Sequence, residues 1–314
     1  MIESLSGFAA TSLSAEAGDI ADIRRSKQLR IGAWRVFPMT IADRASFRTP
    51  KIVFVFGNFR SVGNPIAQSW IAVLTSCRGT TWEEMSIPAS SIRINERQRE
   101  LLRGAERIPY KEFDSREALE LFVFSPKAAA DPCAAIVFFY GAGFWERGEL
   151  SQFAPQCLHF AERGMVAILA DYRLGQRPGA TPLDGLEDAR DAVVWIRAHA
   201  GRLGIDPERI VLAGASSGAH LVLVATMVGA EDAGSPPPLD PAALILFSPI
   251  VNVVRGKLAE RFGGRRSAKQ ASPLHQVRRD LPPMLVFHGG GDRFQRLCEV
   301  EAFAKKLSRK KNLC

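Results

Sequence analysis

The sequence predicts an α/β protein built on a mostly parallel β-sheet with helices on both faces. Short, β-branched apolar runs alternate with amphipathic stretches, and several of the runs end directly in glycine-rich turns. The composition agrees: 314 residues, 46% hydrophobic and 24% charged, with enough apolar matter for one large core or two modest ones.

Within residues 106–304 the strand candidates are Ala135 to Tyr140 (AIVFFY), Val166 to Ala170 (VAILA), Ile210 to Ala213 (IVLA), Ala243 to Phe247 (ALILF) and Met284 to His288 (MLVFH). Between the second and third, Leu186, Ala189, Val193, Ile196, Ala200 and Leu203 recur at helical spacing, which predicts a crossover helix over 184–203. Residues 108–124 read as two strands joined by a polar turn at Asp114 to Arg116, an antiparallel entry to the sheet. Residues 299–311 read as a helix that leaves the domain midway, with Asn312 as its C-cap. This organisation assigns 106–314 to one domain and leaves 1–105 as an extension of unclear structure: a cap, a disordered segment, or the product of a misplaced start codon. Inside it, KIVFVFG from Lys51 is strand-like and WIAVLT from Trp70 is a short apolar stretch.

The formal charge of +8 invites a nucleic-acid reading, and its distribution argues against one. Residues 1–105 carry 14 basic and 9 acidic side chains, and 305–314 carry 5 basic and none acidic. The stretch between them has 22 basic and 24 acidic residues, so the excess belongs to the ends and the middle is suited to small molecules. No run approaches the roughly 18 apolar residues of a membrane span, and the first residues lack a basic leader. Five scattered cysteines (Cys77, Cys133, Cys157, Cys298, Cys314) form no metal-binding or disulfide pattern. A cytoplasmic protein without a metal or organic cofactor is expected.

The most informative stretch is IVLAGASSGAH, residues 210–220. A G-x-S-x-G sequence between a strand and a helix is a sharp turn that presents Ser216 above the sheet edge, with the positive end of the helix dipole beneath it. A serine nucleophile needs an oxyanion trap and an oriented base. The YGAGF loop after AIVFFY supplies backbone N–H groups for the trap, those of Gly141 and Ala142, and Ser217 supplies a third. An ordinary strand-to-helix turn would use the same small residues. The acid that orients the base is Asp292, where the MLVFH strand ends in three glycines at the same sheet edge.

Residues 109–314 resemble the α/β-hydrolases of the lipase/esterase group, including the hormone-sensitive-lipase-like and the feruloyl or acetyl-xylan esterase branches. YGAGFW stands where that group has HGGGW, GASSGAH where it has GxSAGGH, and LPPMLVFHGGGD where it has a PP-led strand ending in HGxxD. DYRL, GIDPERI and SPLH share its look. Ala142 departs from the family's glycine, Ser217 from its alanine, and RFQRL after Asp292 from its usual continuation. The resemblance implies a catalytic order of Ser, Asp, then His, and here the third member has no evident counterpart. Twenty-two residues follow Asp292, most of them in the predicted helix, so the last strand and helix of the fold are expected to be missing and a sheet edge to be exposed. Of the five histidines, His220 lies on the helix after the elbow, His288 braces the turn before Asp292, His159 and His199 sit on amphipathic helices, and His275 lies in a loop. The function expected is a serine carboxylic-ester hydrolase acting on a small-molecule ester and impaired for want of its base. The alternative is a non-catalytic remnant or binding module of the same fold.

Overall fold

The computed structural model describes residues 100–113, 118–127, 132–145, 148–173, 180–228, 237–292 and 294–312, with the backbone of 30–31, 34–39, 52–56 and 96–99. The strands in chain order are β1 (Arg30–Ile31), β2 (Trp34–Met39), β3 (Ile52–Phe56), β4 (Glu106–Glu112), β5 (Ala118–Phe124), β6 (Cys133–Phe139), β7 (Val166–Ala170), β8 (Ile205–Ala215), β9 (Ala243–Phe247) and β10 (Met284–Gly289). The helices are α1 (Glu96–Arg103), α2 (Ala154–Ala161), α3 (Pro182–Ala198), α4 (Ala200–Leu203), α5 (Ser217–Met227), α6 (Gly256–Arg261), α7 (Arg265–Gln270) and α8 (Leu297–Arg309).

One ten-stranded sheet has the order β1-β2-β3-β10-β9-β8-β6-β7-β5-β4. Its centre, β7-β6-β8-β9-β10, is parallel, and both flanks are antiparallel. Each central strand divides its side chains between two cores, as the two-residue period of a strand requires. Ala135, Val137 and Phe139 face α3, α5 and α8, while Ile136 and Phe138 face α2. Because both faces are covered, these strands read as continuous apolar runs in the sequence.

The crossover helix forms over nearly the expected span, with its ends set by local chemistry. Thr181 and Asp184 make a capping box in front of Pro182, and the helical course breaks at His199 before ending at Gly204, whose φ of 64° is left-handed. The 108–124 segment is the antiparallel β4–β5 pair expected. The strand read from Lys51 is β3, whereas the apolar stretch from Trp70 lies outside the described residues.

Two expectations are corrected. The outer edge of β10 is not exposed: Ile52–Phe56 pairs antiparallel along it, Val55 opposite Val286 and Val53 opposite His288, so a strand from the N-terminal region takes the ladder. The last helix also stays on the domain. Val300, Phe303 and Leu307 are buried, and beyond the actual cap at Lys310 the Asn312 side chain accepts from Leu281 N–H (2.9 Å) and donates to the Arg278 carbonyl (2.6 Å).

Val55 lies between β2 and β10, where an interior strand residue commits its N–H to the ladder. Val55→Pro removes that donor, and a loss of about 1–3 kcal/mol is expected in chemical denaturation. An unchanged midpoint would show that β3 adds nothing to the edge of β10.

Candidate active site

The site is built where three parallel strands end together. Ala215 of β8 lies opposite Phe247 of β9, and Phe247 opposite Phe287 of β10. Directly past this level the Ser216 N–H donates to the Phe247 carbonyl (2.9 Å) and the Ser248 N–H to the Phe287 carbonyl (2.7 Å). Asp292 follows Phe287 by five residues and so reaches the same edge as Ser216.

Ser216 joins β8 to α5 with φ 50° and ψ −114°, a backbone conformation that L-residues rarely adopt. The turn is this tight because the first turn of α5 lies against the ends of β6 and β8. A Cβ on Gly214 would stand 2.6 Å from the Ala219 nitrogen, and one on Gly218 only 2.2 Å from the Phe139 carbonyl oxygen. The Ser216 carbonyl accepts from His220 N–H (3.0 Å), which closes the first turn, and the serine is half-buried at the helix N-terminus.

The YGAGF loop faces this turn, and the amides of Gly141, Ala142 and Gly143 divide between two acceptors. Gly141 N–H donates to Gln152 Oε1 (2.8 Å), so that expected donor is committed to a residue of the neighbouring 3-10 turn. Ala142 N–H (2.7 Å) and Gly143 N–H (3.1 Å) both donate to Ser217 Oγ. Gly143 and Phe144 follow with consecutive left-handed φ of 65° and 72°, and the Phe144 carbonyl is held by Arg261 Nε (3.0 Å). The structure thus pairs Ala142 with Gly143, an amide the sequence reading left out, because the loop reverses at Gly143.

The base of the loop is braced by the DYRL stretch. Tyr140 Oη donates to Asp171 Oδ1 (2.6 Å), which also accepts from Tyr172 N–H (2.9 Å), and Tyr172 Oη donates to the Tyr140 carbonyl (2.6 Å). Burial pushes the Tyr172 phenol well above its ordinary range. Asp171, Tyr172 and Gln152 were not assigned roles from sequence. DYRL was legible as a motif, whereas nothing local marks Gln152.

Asp292 caps its own turn: its N–H donates to the Gly289 carbonyl (3.1 Å), and Oδ1 accepts from the N–H groups of Phe294 (2.9 Å) and Gln295 (3.0 Å). Gln295, buried in the stretch that departs from the family, ties the two neighbouring loops. Its Oε1 accepts from Val251 N–H (3.1 Å) and Asn252 N–H (3.3 Å), and its Nε2 donates to Glu299 (2.6 Å).

The five histidine rings all have partners other than Ser216 and Asp292. His220 Nδ1 meets the Ile250 carbonyl (2.8 Å), His288 Nε2 the Gln295 carbonyl (2.9 Å), and His275 Nδ1 the Ser272 hydroxyl (2.9 Å). His199 stacks on Trp195 with ring centroids 3.8 Å apart, and His159 meets Arg163 (3.0 Å). Among the described residues no helix is long and apolar enough to cross a membrane.

A parallel sheet with helices on both faces, a serine on a left-handed strand-to-helix turn and a facing small-residue loop define an α/β-hydrolase. The chain belongs to the α/β-hydrolase esterase family. It is 38% identical to the thermophilic esterase Est2 of Thermogutta terrifontis over 68% of this chain and 80% of that one, with a TM-score of 0.60. The family model described as BD-FAE matches residues 121–241. The probable carboxylic ester hydrolase LipM of Mycobacterium tuberculosis is 26% identical over 222 residues, 64% of this chain. Carboxylesterase NlhH of the same organism is 30% identical over 126 residues, 40% of this chain and 38% of that one. The chain spans about half the length of LipM (51%).

Two outcomes follow from the elbow. With a Cβ 2.2 Å from a backbone oxygen, Gly218→Ala must displace α5 from β6, so a lower thermal midpoint and loss of any reactivity at Ser216 are expected together. His220 gives a pH dependence. Burial drops its pKa to about 4 from an ordinary 6.5, against the opposing hydrogen bond to Ile250. Above pH 6.5 the ring is neutral in both states; as pH falls from there toward 4, only the unfolded chain takes up the proton, so stability is lost across that window. The loss amounts to about 3 kcal/mol. Urea titrations at successive pH values should show it, and His220→Gln should flatten it.

Proposed function

We propose that the protein is a serine carboxylic-ester hydrolase in which Ser216 is the nucleophile. The observation that carries this is the backbone of Ser216 itself: a non-glycine residue held at φ 50° where β8 meets the N-terminus of α5, with the YGAGF loop facing it. In this reading Ser216 Oγ adds to the ester carbonyl carbon, and the N–H groups of Ser217 and of the Ala142–Gly143 pair receive the negative charge. The carbon–oxygen bond to the alcohol then breaks, the alcohol leaves with a proton, and water hydrolyses the acyl-serine to a carboxylic acid. The small-molecule ester needs no metal or organic cofactor in this chemistry. The role assigned to Asp292 is to orient a base, a reading supported by its place in the turn that follows β10.

The general base is the weak point of the set. Each of the five histidines has a ring nitrogen or ring face turned to a partner other than Ser216 or Asp292, which supports a chain that acylates slowly and deacylates more slowly still. A site with trap and binding alone retains roughly 10³–10⁴-fold catalysis over water. A binding module of the same fold is the second reading, favoured by the same engagement of the histidines.

Est2 has been obtained phosphorylated by paraoxon, so an organophosphorus probe suits a comparison with that relative. Labelling of Ser216 by a fluorophosphonate, with slow release of p-nitrophenol from p-nitrophenyl acetate, is expected, and both should vanish in Ser216→Ala. Absence of labelling by intact mass would reject the nucleophile. Turnover that survives Ser216→Ala would place the chemistry elsewhere.

A further inference from the structure

We propose that the Ser217 side chain is a positioning residue that holds the oxyanion loop in a resting state, with two of its donors turned inward to an internal oxygen. This inference rests on the nucleophile reading above and adds a control within the same site.

Ser217 is fully buried, at 0% exposure, whereas Ser216 beside it is half-buried. The loop amides that would serve an oxyanion therefore point past the reactive serine to a hydroxyl inside the protein. Ala142 N–H and Gly143 N–H converge on Oγ at 2.7 and 3.1 Å. A serine oxygen has two lone pairs, and two amides occupy both. Tyr172 Oη gives its own proton to the Tyr140 carbonyl at 2.6 Å, at the residue from which the loop springs. Ser217 and Tyr172 thus hold the loop at two points: the Ser217 hydroxyl takes two of its amides, and the Tyr172 phenol donates to the carbonyl of the residue at which the loop begins.

This arrangement has a direct chemical consequence. A carbonyl oxygen entering the site meets loop amides that already have an acceptor, and must compete with Oγ for them. The Ser217 N–H, in the first turn of α5, has no intrahelical partner and is unaffected by that competition. Removing a single donor from an oxyanion site lowers the rate by about 10²–10³-fold, so returning two partly diverted donors should accelerate reaction at Ser216. Alanine at 217 deletes the internal acceptor while leaving the backbone of the elbow and the N–H of residue 217 in place. The inward geometry thus assigns the hydroxyl a restraining role, opposite in sign to what loss of a stabilising contact would bring.

The test is the rate of phosphonylation of Ser216 by a fluorophosphonate, followed by intact mass in the full chain and in Ser217→Ala. Amide hydrogen exchange at Ala142 and Gly143 is measured on both proteins. The expected result is labelling about ten-fold or more faster in Ser217→Ala, with those two amides slow to exchange in the wild type and faster in the variant. Equal or slower labelling in a folded Ser217→Ala overturns the proposal while leaving Ser216 as the nucleophile. So does exchange at Ala142 and Gly143 that is already fast in the wild type, a result that needs no variant to fold. Failure of both proteins to label removes the nucleophile reading and this inference together.

Discussion

The backbone of Ser216 is the constraint on which the rest of the site depends. A residue with a side chain held at φ 50° and ψ −114° stores strain of about 1–3 kcal/mol, and it persists only where its surroundings leave no alternative. Here β8 is locked between β6 and β9, and every residue of the α5 helix that follows is buried. The short connection is closed at both ends by hydrogen bonds from Ser216 N–H to Phe247 and from His220 N–H to the Ser216 carbonyl. Gly214 and Gly218 permit the close approach that makes the bend sharp. Sheet and helix packing thus stabilise a local conformation that the residue itself disfavours.

From that bend the polar organisation follows. α5 starts directly after Ser216, so its first amides and its dipole face the turn, and its first side chain, Ser217, is driven inward toward the YGAGF loop. The rings of Tyr140 and Phe144 anchor the two ends of the loop in the core, and its backbone is held by polar contacts: Gln152 at Gly141, Ser217 at Ala142 and Gly143, Arg261 at Phe144, and the Tyr140–Asp171–Tyr172 set at its base. These partners are buried or half-buried, where an unmade hydrogen bond is expensive, so the loop has one well-defined resting arrangement. In the proposed chemistry, a serine on a rigid elbow beside a loop held by backbone hydrogen bonds separates two tasks that an acyl-transfer site must combine, placing the attacking atom and receiving the charge.

Much of this was readable in one dimension. The central strands stood out because burial on both faces leaves them apolar throughout, and the elbow because only small residues allow its turn. Other features were not. Asp292 was legible as a carboxylate after a strand, but its capping of Phe294 and Gln295 depends on how the glycine turn closes. Gln295 and Gln152 are single amide side chains with no pattern around them. The β3 strand was visible as a strand, while its place on β10 was not, because pairing between residues more than 200 apart carries no local signature.

By itself the sequence determined the alternation of strand and helix, the parallel core and the positions of the small-residue turns, since these follow from short-range periodicity and backbone sterics. Only the tertiary structure decided which amide meets which oxygen. It turned Gly141 toward Gln152, gave Ala142 and Gly143 to Ser217, brought the Ile52–Phe56 strand to the edge of β10, and set the His220 ring against the Ile250 carbonyl. The physical reason is that hydrogen bonds are directional and short, so their partners are chosen by the packing of distant segments to within a fraction of an ångström, a precision that composition and spacing do not contain.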